Sequence, residues 1–225
     1  MENYKKELTY ISGSARMTVQ FKNVISERHK NMRKTQDAIG IELVSGYPQF
    51  RIRESMDVSA PTYTYYGQPE VENDLVGLEI KSTEKKQIRT FDEVNTVNQD
   101  DLLFSLISGK ATLARGNRQG YLFTQNYVKF ITRGNIDQKY LVYLLNENAN
   151  IKQQFQMGLQ GSAVLKYSIK QLKELKLPEL PAMEKQKLIG ELYFNQLKLQ
   201  ALRERVAKLE TTIMFEKLKE VKTNE

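Results

Sequence analysis

The feature that most limits how this chain can fold lies near its C-terminus. Leu188, Leu192, Asn195, Leu199, Leu202, Val206, Leu209 and Ile213 are spaced alternately by four and three residues. That spacing is a heptad seam sustained for more than three repeats, the signature of a helix that pairs with another helix. A helix packed only on its own domain needs a broader and less regular apolar stripe. From Ala182 to Lys222 such a helix would run about 60 Å at 1.5 Å per residue, too long for one domain of this size to cover. The seam therefore predicts a coiled coil with a partner. Its one polar member, Asn195, either fixes register and partner orientation or marks a solvated end of the seam.

Upstream of the seam the pattern is different. Apolar runs punctuated by turns predict strands at Val19–Ile25, Ile39–Val44, Leu75–Ile80, Leu102–Ile107 and Tyr121–Ile131. Glycines at 46, 67, 77, 109, 116 and 120 supply bends. A helix is expected over Asp137–Gln156, with Leu141, Leu144, Leu145, Ile151 and Phe155 on one face and Gly158 at its end. Ser168 and Gln171 have the spacing of a capping box, opening a short helix that turns Ile169, Leu172 and Leu175 inward. Pro178 and Pro181 then close the unit, since neither fits a helix interior. The expected class is α+β, with a globular domain over residues 1–180 and a coiled-coil spacer or dimerisation helix over 181–225.

Composition excludes several chemistries. The 225 residues include no cysteine and one histidine, His29. Disulfides and Cys-ligated metals are thereby excluded, and with a single histidine neither a His-based metal site nor a His-containing triad is expected. His29 itself sits in the polar, basic run Glu27–Lys34 and reads as a surface residue. No apolar run is long enough to span a bilayer. Met1 to Leu8 is polar and mixed in charge, unlike a secretory leader, so a soluble cytoplasmic protein is expected. The net charge is +7, and residues 102–173 hold ten Lys and Arg against only Asp137 and Glu147. A segregated basic region attracts a polyanion, most often nucleic acid.

Two fragments resemble catalytic motifs. Asp74, Glu79 and Lys81 form a loose PD-(D/E)xK nuclease pattern on the expected strand Leu75–Ile80, where the carboxylates would hold Mg²⁺. The spacing is short and no third acid is evident, so a nuclease is one alternative reading; the other is a non-catalytic coiled-coil scaffold that binds nucleic acid. Gly109-Lys110-Ala111-Thr112 ends like a phosphate-binding loop, but Ser105 stands where the leading glycine is needed, and the loop cannot form. Tyr63, Tyr65 and Tyr66 suit either base stacking and phosphate contacts or alternation into a core. Arg51 and Arg53 share one face of an extended segment and suit phosphate contacts or a solvated edge.

Three segments in order resemble the target-recognition domain of Type I restriction–modification specificity subunits. They are Val97 to Gly109 (VNQDDLLFSLISG), Phe123 to Ile131 (FTQNYVKFI) with the helix after it, and Gln160 to Leu172 (QGSAVLKYSIKQL). The last leads through Leu177 to Ile189 (LPELPAMEKQKLI) into the heptad helix, so the resemblance covers roughly 97–213. Residues before Ile39 carry little of it, and their role stays open. Subunits of this kind carry two recognition domains and two spacer helices, where this chain has one of each. The resemblance implies a half-length subunit that pairs with itself, antiparallel, through the 188–213 helices. It implies no catalysis and no cofactor in this chain. An adenine-N6 methyltransferase using S-adenosylmethionine would be its partner, with or without a restriction translocase, and double-stranded DNA its ligand. Phosphate contacts would set register while loop side chains read base edges at a bipartite site. The first candidates for that surface are Lys110, Arg115, Arg118, Gln119 and Lys166, with Arg51, Tyr63 and Tyr65 second.

Overall fold

The computed structural model describes residues 33–34, 40–79, 84–159 and 166–223. The expected strand Val19–Ile25, His29, Lys81 and the glycine–serine pair at 161–162 lie outside these residues. A four-stranded antiparallel sheet organises the domain: β2 (Glu42–Ser45), β7 (Tyr127–Ile131), β5 (Leu102–Ser105) and β6 (Ala111–Leu113), adjacent in that order. A second ladder joins β3 (Thr62–Thr64) to β4 (Gln87–Arg89). A third ties β1 (Arg33–Lys34) to β8 (Lys176–Leu177).

Strand β5 shows why its sequence is continuously apolar. Successive side chains of a strand point to opposite faces. Leu102 and Phe104 enter the main core with Val128, Phe130, Leu141, Leu144, Leu145, Ile151 and Phe155. Leu103 enters a second cluster with Tyr66, Val71, Val97, Ala114, Phe123 and Tyr127. Both faces of the sheet are covered, and burial pushes the Tyr127 hydroxyl up to about 12.

The helix expected over 137–156 is two helices, α2 (Gln138–Glu147) and α3 (Ala149–Leu159). Asp137 caps the first, accepting from the Tyr140 N–H at 2.9 Å. Asn148 opens the second by accepting from the N–H groups of Asn150 and Ile151, so a side-chain cap replaces one turn of helix. Gly158 falls inside α3 rather than after it. Helix α4 (Ile169–Glu174) begins at Ser168 with the capping box intact on both sides.

The strand expected at Leu75–Ile80 is instead the end of helix α1 (Gln68–Val76). Pro69 lies in its first turn, and Glu70 accepts from the Gly67 N–H at 2.9 Å. Gly77 ends it in the left-handed region at φ 69°, a conformation that costs glycine little. Tyr121–Ile131 is strand only from Tyr127. Ahead of it Leu122 and Thr124 make isolated bridges to Tyr65, Thr96 and Tyr47.

After Pro181 the chain becomes one helix, α5 (Met183–Thr223), of 41 residues. Its first half docks on α2 and also touches α1. Gln186 is buried at this joint, donating to the Pro181 carbonyl and accepting from the Asp137 N–H. A Cβ on Gly190 would lie 2.6 Å from the Lys139 Cβ, so the two helices meet there at backbone distance. Ile189, Tyr193 and Phe194 pack on the main core, and Ala201 is the last buried residue of the helix.

Candidate nucleic-acid interface

Residues 102–173 are basic in sequence but largely neutralised in space. Arg115 and Arg118 pair with Glu79, and Arg118 also with Asp74. Lys129 pairs with Asp101, Arg133 with Glu42, Lys139 with Glu191, Lys152 with Glu147 and Lys170 with Glu174. Of the ten cations only Lys110, Lys166 and Lys173 form no salt bridge among the described residues. The missing acids come from other parts of the chain.

Arg118 is buried, against the expectation of a DNA contact. It is 2% exposed, with Nε 3.1 Å from Asp74 Oδ1 and Nη2 2.6 Å from Glu79 Oε1. Tyr66 donates to the other Asp74 oxygen at 2.9 Å, and Asn117 and Asn73 donate to Glu79. Burial disfavours the Arg118 cation, but its hydrogen bond to Glu79 and the charge of Asp74 outweigh that and raise its pKa. Its guanidinium has no face left for a phosphate. It instead clamps the loop after β6 to the end of α1, and stacks at 5.7 Å over Tyr121. The same network takes two members of the nuclease pattern. Asp74 sits on a helix, both carboxylates hold arginines, and no group of three metal-ligating side chains occurs among the described residues.

The remaining candidates fall into separate places. Lys110 lies at the turn end of the β5–β6 hairpin, exposed, while Arg115 and the exposed Gln119 lie beyond its other end. Lys166 and Tyr65 come together although a hundred residues separate them. Lys166 Nζ donates to Asn126 Oδ1 at 2.8 Å, and Asn126 lines a polar cavity of about 340 Å³ with Gln49, Tyr65, Glu84, Lys85 and Lys86. Lys86 Nζ sits 5.3 Å over the Tyr65 ring. Burial and the Glu54 charge raise the Tyr65 pKa, so its hydroxyl stays a donor.

Next to this cavity a lobe is stitched from residues 50–64 and 86–92. Ser55 N–H donates to the Arg89 carbonyl, Thr90 N–H to the Pro61 carbonyl, and Arg53 holds Asp92 through backbone and guanidinium. The lobe exposes Phe50, Met56, Val58 and Phe91, each more than 60% accessible, together with Arg51, whose guanidinium lies 5.6 Å over the Phe50 ring. Arg51, Lys85, Lys86 and Arg89 carry no acidic partner among the described residues. Sequence reasoning named Arg51, Tyr63 and Tyr65 here but missed the four apolar side chains and three of these cations. Clustered exposed apolar side chains mark interaction surfaces, but only the stitching of two distant segments gathers them.

The heptad residues occupy the face of α5 turned away from the domain. At about 100° per residue, the docked residues Gln186, Ile189, Gly190, Tyr193, Phe194 and Ala201 centre roughly 170° from the seam. Leu188, Leu192, Leu199, Leu202, Val206, Leu209 and Ile213 are all exposed, as is Asn195.

The fold and surface define a binding module: an α+β domain with a lobe of cations and apolar tips, and a helix left open along one face. The chain belongs to the family of the Type I restriction modification DNA specificity domain, whose profile matches residues 51–210. Among solved structures, one from work on assembly and conformational transition of the type I R-M system matches at TM-score 0.51 and 15% identity, covering 84% of this chain and 43% of that one. The HsdS subunit from Thermoanaerobacter tengcongensis matches at TM-score 0.43 and 16% identity, over 94% of this chain and 52% of that one. The S subunit from M. genitalium matches at TM-score 0.39 and 17% identity, over 82% and 45%. This chain spans about half the length of the solved chains it matches. No curated protein matches it, and no described helix is long and apolar enough to cross a membrane.

Proposed function

We propose that this chain reads DNA as one half of a two-fold symmetric specificity assembly, pairing antiparallel with a second copy through Leu188–Ile213. The observation that carries this reading is the exposed heptad seam on the face opposite the docked one. A stripe of that length left in water has no other stabilising use. Pairing positions so that Leu199 faces the partner's Leu202 also places Leu192 against Leu209 and Leu188 against Ile213. Every layer then joins one a and one d position, as an antiparallel pair requires.

One reading domain would stand at each end of the paired helices. The lobe with Arg51, Tyr63, Tyr65, Lys85, Lys86 and Lys166 contacts the duplex, and Lys110, Arg115 and Gln119 extend that contact along the domain. Phosphates receive the cations, and Phe50, Met56 and Phe91 meet base edges such as thymine methyls. The assembly directs a methyltransferase that modifies adenine N6 using S-adenosylmethionine, and where present a restriction translocase, acting on cytoplasmic DNA. A unit of residues 1–180 reads, and 181–225 sets the distance between readings.

Protein two-fold symmetry is mirrored in palindromic half-sites. Methylation mapping in a host carrying this chain and its methyltransferase is expected to give an inverted repeat interrupted by an unread spacer. An asymmetric bipartite motif would show that a different half-subunit pairs with this one.

A further inference from the structure

The middle of α5 carries charge that nothing among the described residues balances. Lys198, Arg203, Arg205 and Lys208 are exposed and have no acidic partner among the described residues, and Glu204 is the one acid among them. Glu204 instead accepts from Gln200 at 3.0 Å. The contrast with residues 102–173, where seven of ten cations are paired, makes this the most concentrated unpaired positive charge on the helix.

The heptad register decides where these charges go. Relative to the seam, Lys198 and Arg205 are one heptad apart on one edge, and Arg203 is on the opposite edge, roughly 160° from Arg205 around the helix. In the antiparallel pairing the two-fold axis passes between residues 200 and 201. Lys198 then lies about 4 Å and Arg205 about 7 Å along the helix from that axis, on opposite sides of it. The second copy places its own Arg205 beside Lys198, and its Lys198 beside Arg205. Four cations therefore converge on one edge at the centre, spread over about 14 Å of the helix, with each Lys198 about 3 Å along the axis from the other copy's Arg205, a shorter distance than the screening length of about 8 Å at physiological salt. Helices paired for stability alone place opposite charges at these flanking positions. Like charges there weaken the pair, and an anion lying across them would remove that cost.

We infer that Lys198 and Arg205 of two copies form a phosphate-binding saddle beneath the unread spacer of the DNA. The inference rests on the antiparallel pairing proposed above. A duplex held by reading domains at both ends must pass the middle of the helices, and it presents one negative charge per about 1.7 Å of its length. The saddle contacts the backbone alone. It adds affinity at the stretch whose sequence is not read, and DNA binding removes the repulsion that opposes pairing.

The test compares the full-length chain with the double variant Lys198→Ala, Arg205→Ala and the opposite-edge variant Arg203→Ala. Binding to a duplex carrying the mapped site is measured across salt concentrations, and association by sedimentation. The double variant removes four phosphate contacts per dimer, so the slope of log K against log salt should flatten by up to about 3.6. It should also dimerise several-fold more tightly without DNA, and leave the methylated half-sites unchanged. Arg203→Ala should leave the slope as it was. A dimeric double variant with an unchanged slope overturns the saddle alone. So does equal flattening by Arg203→Ala, or loss of methyltransferase association with duplex binding intact. A wild-type chain that stays monomeric at high concentration overturns the pairing, and the saddle with it.

Discussion

The globular domain and the outer half of α5 treat their charges and apolar side chains in opposite ways. In the domain, cations that look unopposed in sequence meet Glu42, Asp74, Asp101 and Glu79 through the fold. Apolar runs such as Leu102–Phe104 are covered on both faces of the sheet. Along α5, past Ala201, every residue through Glu220 is exposed, whether leucine or lysine. Outside the lobe of residues 50–64 and 86–92, the domain covers its apolar runs and pairs most of its cations. A helix that leaves its whole seam open, with Lys198, Arg203, Arg205 and Lys208 unpaired among the described residues, is built for a partner. The difference also shows that a stretch free of acids in sequence need not be free of acids in space.

The largest expected effect breaks the helix side of this comparison and leaves the domain side intact. Replacing Leu202 and Leu209 with Asp puts charges into two layers of the seam, and charges without partners do not survive burial. Sedimentation should show monomers at concentrations where the wild-type chain is dimeric. The domain should keep its unfolding transition at low concentration, because neither residue touches it. Dimers that persist in the double variant would refute the coiled-coil assignment.

The next effect falls on the domain. Arg118→Met removes the cation that neutralises Asp74, a carboxylate with no exposed side-chain surface. Breaking a buried pair by deleting one partner typically costs about 3–5 kcal/mol. Chemical denaturation should register a loss of that order, whereas Arg205→Met on the helix should register almost none. If the two variants were equally stable, Arg118 would not be the clamp its geometry describes.

Legibility in the sequence followed the same division. The long helix was readable because heptad spacing is a local, repeating signal, and α5 runs as one element from Met183 to Thr223. The capping box at Ser168 and the apolar face of α2 were readable for the same reason. Helix α1 was missed because its buried face includes Glu70, Asn73 and Asp74, which carry no apolar period. The break at Asn148 was missed because Leu144, Leu145 and Ile151 keep the apolar spacing through it. The interface suffered most. Whether Arg118 is a ligand contact or a clamp depends on Asp74 and Glu79, about forty residues away. No pattern in the local sequence reports that distance. The Lys166–Tyr65 cavity likewise exists only where the fold brings Asn126 between them.

The smallest effect sharpens the account of the clamp. Burial works against the Glu79 carboxylate, but hydrogen bonds from Arg118 and Asn117 and the nearby arginine charges outweigh it and hold its pKa below the ordinary value. A carboxyl depressed in this way stabilises the fold above its unfolded pKa and loses that contribution as pH falls through the folded value. Asp74 goes the other way. Burial raises its pKa despite Tyr66 and Arg118, so its contribution is complete below the unfolded value and declines as pH rises through the folded one. The two trends partly cancel in the wild-type chain. Glu79→Gln removes only the first of them, and because the Glu79 side chain is 49% exposed, the cost near neutral pH should stay under about 1 kcal/mol. Thermal unfolding should show that gap closing as the pH falls below the ordinary glutamate value and through the depressed one, where the wild-type carboxyl also becomes neutral. A gap that widened with acid would mean that Glu79 is not held ionised by Arg118, and that Asp74 alone secures the clamp.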